Sequence, residues 1–196
     1  MASTTSSHAS PNYLKELPNA ILGFFGLRTE SELSYETRVK DGDFSVRHYP
    51  AHAEIRNEEV GSRKESANRS FDRLLSYIQG ENWDDETFSM TTPVIQRPSG
   101  VARWSTSFYM KEPIENLPLP KTSAVKLYAQ QAEVMAVVRF SGNATEERVH
   151  EEITRLVTWM SRKRLVARGE PQVAQFDQPF AIPFLKRNEI HIPLRD

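Results

Sequence analysis

From Tyr35 onward, residues alternate at a period of two. Tyr35, Thr37 and Val39, then Phe44, Val46 and His48, fall on one side of two successive extended segments, with the turn residues Asp41-Gly42-Asp43 between them. That pattern predicts a β-hairpin. A third strand through Ala51, Ala53 and Ile55 follows Pro50, which cannot donate to a ladder and so belongs at a strand start or edge. Over residues 65–79 the period changes: Ala67, Phe71, Leu74, Leu75 and Ile78 recur at helical spacing, with Gly80 as a stop. Residues 88–96 and 103–110, rich in Thr, Val and aromatics, read as a second hairpin turning at Pro98-Ser99-Gly100.

A proline-rich crossover, residues 111–121, precedes a repetition of this order. Residues 125–129 and 133–140 read as strands. Thr145 is an N-cap for a helix over 145–164, with Glu146 and Glu147 favourably placed at its positive end. Val149, Ile153, Leu156, Val157 and Met160 repeat the spacing of the first helix's stripe, and strands over 173–176 and 188–194 close the chain. The fold class expected is α+β: duplicated strand-helix-strand halves forming a curved, mostly antiparallel sheet, a distorted barrel, flanked by two long helices. The halves fall at about 35–110 and 122–194 of one domain spanning 21–196, behind a flexible tail over 1–20.

Composition supports one compact domain: 196 residues, 38% hydrophobic and 26% charged, allow enough burial to offset the entropy of ordering. The formal net charge of −1 gives no field toward phosphate backbones, so no nucleic-acid partner is expected. With no cysteine, disulfides, thiolate metal sites and cysteine nucleophiles are excluded. The Ser/Thr/Ala-rich start carries neither a basic, apolar export signal nor an Arg-rich transit pattern, and the cytoplasm is the expected compartment. The run Ala20-Ile21-Leu22-Gly23-Phe24-Phe25-Gly26-Leu27 is too short to span a membrane. It reads as an arm packing on the domain, or as a weak membrane contact through residues 20–27.

Candidate chemistry is sparse. The glycines form no phosphate-binding fingerprint, and there is no Gly-x-Ser-x-Gly elbow. The histidines, His8, His48, His52, His150 and His191, lack zinc spacing. His48 is a candidate axial ligand to haem iron, against the plainer reading of a strand-edge histidine. His191, between Ile190 and Ile192, is expected to face solvent or a partner. The loop Phe180-Ala181-Ile182-Pro183-Phe184-Leu185-Lys186-Arg187 alternates prolines with aromatics before a charged cluster, so it either rims a cleft or caps the core.

Ile21-Leu22-Gly23 with Leu27-Arg28-Thr29, Val46-Arg47-His48-Tyr49-Pro50-Ala51, Met90-Thr91-Thr92-Pro93-Val94, Val138-Arg139-Phe140-Ser141-Gly142 and Phe180 to Glu189 resemble, in order and spacing, the SOUL/haem-binding protein family. The resemblance runs from about Ile21 to Leu194 and implies a fold related to gyrase-inhibitor-like domains. It also implies binding of haem b or another tetrapyrrole, without chemistry, on a shallow apolar surface. The corresponding positions are Asn68, Phe71, Leu75 and Ser76 on the first helix, and Phe180, Ala181, Ile182 and Lys186 in the loop. Basic groups for the propionates would come from Arg69, Arg73, Lys186 or Arg187, since Asn68, Ser76 and Ala181 are uncharged. The function expected is a tetrapyrrole carrier or buffer. The alternatives are a small enzyme acting on a hydrophobic molecule in the cleft between the repeats, and a protein-interaction module.

Overall fold

A computed structural model describes residues 31–177 and 182–195. The tail and the 20–27 run lie outside them, as do Phe180 and Ala181. The strands are β1 (Ser31–Glu32), β2 (Glu36–Asp41), β3 (Phe44–Tyr49), β4 (His52–Val60), β5 (Thr91–Thr92), β6 (Val94–Gly100), β7 (Arg103–Met110), β8 (Lys126–Gln130), β9 (Glu133–Ser141), β10 (Gln172–Gln175) and β11 (Arg187–Pro193). Helices α1 (Arg63–Ile78) and α2 (Glu146–Lys163) complete the fold. Nine strands form one sheet in the order β2-β3-β9-β11-β10-β6-β7-β4-β8, with every pairing antiparallel. This is the α+β architecture expected from the alternation.

The order strand-helix-strand-strand occurs twice, as β4-α1-β6-β7 and β9-α2-β10-β11. In each unit the last strand lies between the other two, and the units join where β10 runs against β6, with Ala174 opposite Ile95. Both helices pack on one face. Leu74, Tyr77 and Ile78 of α1 close over Ile55 and Phe108, while Val149, Leu156 and Met160 of α2 close over Val46, Val138 and Ile190.

Local chemistry explains the boundaries. Gly42 opens the β2–β3 loop at φ +58°, a left-handed conformation that costs glycine little. Helix α1 starts two residues earlier than the apolar spacing indicates, because Ser62 and Glu65 form a reciprocal capping box. Thr145 caps α2 by accepting from the Arg148 amide, as expected. The second hairpin turns at Val101-Ala102, not at Pro98-Ser99-Gly100. Strand β6 continues to Gly100, and Pro98 is tolerated because the ladder to β10 ends at Gln96, leaving it paired on one side only.

The buried face of α2 also differs from the apolar stripe. Val157 is 49% exposed and Ile153 only half-buried, whereas Trp159 and Glu152 are buried. Trp159 stacks on Phe44 at 5.2 Å and donates to Asp41, tying α2 to the first hairpin. Glu152 is buried between Arg148 and Arg155.

Candidate functional site

On α1 the capping box fixes the helix phase, and Leu74, Tyr77 and Ile78 turn inward. Each residue advances the helix by about 100°, about 3.6 residues to a turn, so Lys64, Asn68, Phe71 and Leu75 fall within about 60° of arc on a single flank. Phe71 and Leu75 are half-buried and pack against the same core cluster as Met90 and Val94, and Phe71 meets Phe108 edge-on at 5.4 Å. Asn68 and Lys64 are exposed. Ser76, half-buried, lies on the opposite flank together with Arg69 and Arg73, both of which pair with Glu59.

The loop approaches the start of this helix. Strand β6, which carries Val94, pairs with β10, and β10 leads directly into Phe176 and Asp177. Lys186 donates to the Asn143 side chain at 3.0 Å, and Arg63 of α1 donates to the carbonyl of Ala144, so both reach the same short stretch. Ile182 is half-buried. Of the cations considered for propionates, Arg187 is buried and committed to Glu32 and Glu189, and Arg69 and Arg73 face away from Phe71. Lys64 is the cation on the apolar flank. Its place in the helical period is the signal in the sequence that marks it.

His48 sits on β3, sharing the α2 side of the sheet with Phe44 and Val46. Five strand steps separate β3 from β7, on which α1 packs, about 24 Å along the sheet at about 4.8 Å per step. Among the described residues, no three His, Asp or Glu side chains cluster as a metal site.

The opposite, concave face carries a buried polar network. Glu189 (0% exposed) accepts from Arg47 at 2.8 Å and from Arg187 at 2.9 Å, and from His191 at 2.9 Å, while Arg187 also holds Glu32 through two 2.8 Å bonds. Glu54 is held by Arg97, Arg56 and His52. His191 is therefore buried, not turned to solvent or a partner. Its alternation with Ile190 and Ile192 does place it on the other face, but that face is covered. The cavity there, lined by Tyr49, Glu54, Ile95, Arg97 and His191 among others, measures about 30 Å³. That is the space of roughly one water. It cannot take a macrocycle.

Burial alone would raise both carboxyls. For Glu189, His191, Arg47 and Arg187 outweigh it, and for Glu54, Arg97, His52 and Arg56 do so, holding each well below the ordinary 4.5. Burial pulls the His191 imidazole below its ordinary 6.5, and the neighbouring Arg47 and Arg187 add to this against the pull of Glu189. The unfolded chain thus binds a proton at His191 where the folded chain does not, so stability falls as pH drops below 6.5. Below 4.5 the two glutamates make the loss steeper. Thermal unfolding is expected to be level above about pH 7, to decline from there, and to lose the first part of the decline in His191→Gln. An identical decline in that variant would contradict the assignment.

A family model, SOUL heme-binding protein, matches residues 30–193. No curated protein matches the chain. Among solved structures, the C-terminal domain of EcmrR aligns with TM-score 0.62 at 9% identity, covering 83% of this chain and 98% of that one. A hydrolase from Listeria innocua aligns at 0.54 and 11% identity, covering 81% of this chain and 94% of that one. An uncharacterized conserved protein from the same organism aligns at 0.53 and 13%, covering 78% and 92%. At these identities the likenesses are of fold.

Proposed function

Because the chain belongs to the SOUL heme-binding protein family, we propose that it carries or buffers haem or another tetrapyrrole on the Lys64-Asn68-Phe71-Leu75 flank of α1. The observation that carries this reading is the pair of half-buried apolar side chains, Phe71 and Leu75, one turn apart beside an exposed cation. Such a flank offers a macrocycle an apolar face, and Lys64 offers a propionate an ammonium donor. Ile182 and Lys186 would close the far side. Ser76 would touch the ligand only at its edge, from the other flank. The concave face has no room for the group.

Affinity then comes from packing. Metal-free protoporphyrin should bind about as tightly as haem, and His48→Ala should bind both like the wild type. Absorbance and fluorescence titrations of the full chain check this. Loss of haem binding in a folded His48→Ala protein, with protoporphyrin binding intact, would replace packing by ligation.

A further inference from the structure

Residues 31–35 cross the concave face, and the contacts they make are those a small molecule could make in their place. The Glu32 carboxylate takes both of its 2.8 Å hydrogen bonds from the Arg187 guanidinium. Arg47 lies 4.2 Å from the centre of the Tyr35 ring, which leans on Tyr49 at 5.3 Å. Leu33 packs against the cluster of Tyr49, Met135 and Val137 and borders the 30 Å³ cavity. Among the described residues the backbone attachment is slight. Ser31 and Glu32 pair with Thr91 and Thr92 over two residues, the Leu33 amide reaches the Thr92 carbonyl at 3.1 Å, and the Tyr109 hydroxyl donates to the Ser31 carbonyl.

Beneath this strap the charges do not balance without Glu32. Among the described residues, Glu189 would then be the one carboxylate paired with the Arg47 and Arg187 side chains, beside a neutral His191. A guanidinium fork freed of its carboxylate recognises another one bidentately, and a desolvated guanidinium holds an aromatic face.

We propose that the concave face is a binding site for a small apolar carboxylate, one carboxyl group joined to an aromatic body, and that residues 31–35 occupy it as a built-in stand-in. The carboxylate takes the place of Glu32 on Arg187. The ring takes the place of Tyr35 under Arg47, over the floor of Tyr49, Met135 and Val137. The site lies on the face of the sheet opposite α1 and is independent of tetrapyrrole binding there. Since the strap must leave first, the apparent affinity of the intact chain is reduced by the fraction of molecules in which it is open.

The test uses the full chain and 3-phenylpropionate. Calorimetry should find binding at least tenfold tighter in the strap-loosened double variant Glu32→Gln, Leu33→Ala than in the wild type. In the wild type, saturating 3-phenylpropionate should speed hydrogen exchange across residues 31–35, the Leu33 amide included, and leave α1 unchanged. The uncharged 3-phenylpropanamide, which needs no variant of the protein, should fail to do so. Equal affinity in wild type and double variant, unchanged strap exchange at saturation, or equal binding of acid and amide would each overturn the proposal. Strap opening by protoporphyrin in place of 3-phenylpropionate would overturn the assignment to small carboxylates.

Discussion

Glu189→Ala is expected to lower stability by about 3–5 kcal/mol, the usual penalty for removing one partner from a buried charge network. The carboxylate is fully buried and receives hydrogen bonds from Arg47, Arg187 and His191. Without it, two guanidiniums remain inside the domain, Arg187 paired with Glu32 and Arg47, among the described residues, left with the hydroxyls of Ser45 and Tyr49. Since a domain's whole stability is about 5–15 kcal/mol, the loss would be a large share of it. Urea unfolding should show the midpoint move far down with the slope retained. Arg47→Ala should cost less, because Arg187 and His191 still compensate Glu189. An unchanged midpoint in Glu189→Ala would mean that the hydrogen bonds of Arg47, Arg187 and His191 to this carboxylate do not hold the fold together.

Leu156→Ala should cost about 2–5 kcal/mol and Val157→Ala within about 0.5. The two residues are adjacent in α2 and were both placed on the apolar stripe by their spacing. Leu156 is fully buried against the sheet, so truncation leaves a cavity that its close-packed neighbours fill only in part, whereas Val157 is 49% exposed. Thermal or urea unfolding of both variants checks the helix orientation. Equal costs would rotate α2 from the position that buries Trp159 and Glu152.

How much of this was legible in the sequence depended on whether one face of an element told the whole story. The first hairpin, α1 and the N-cap at Thr145 follow from alternation, helical period and cap chemistry, each a local property. The α2 stripe was misread by one step because an aliphatic count omits Trp159, and because Glu152, charged yet buried, is made tolerable by Arg148 and Arg155 from its own helix. His191 was placed toward solvent or a partner for a similar reason. Alternation marks Ser45, Arg47, Glu189 and His191 as the polar side of half-buried strands, which in an open antiparallel sheet faces water. Here the sheet curls and residues 31–35 cover it, so those side chains are buried and must satisfy one another. Of the candidate tetrapyrrole surface, apolar spacing placed Phe71 and Leu75 on the stripe and the family resemblance marked them as ligand positions, while neither singled out Lys64. The division of the remaining cations was not legible, because Glu59, which claims Arg69 and Arg73, stands on β4, and Glu32, which claims Arg187, stands on β1.

The claim that the α1 flank holds the ligand is tested most directly by protoporphyrin affinity in Phe71→Asp. Phe71 is half-buried, so the carboxylate can reach solvent and the fold should survive, as an unchanged far-ultraviolet spectrum and a melting transition still present would show. In that folded variant affinity should fall at least tenfold, because the charge must be desolvated against the macrocycle. Affinity equal to that of the wild type, in the folded Phe71→Asp protein, would contradict the account and remove this flank from the site.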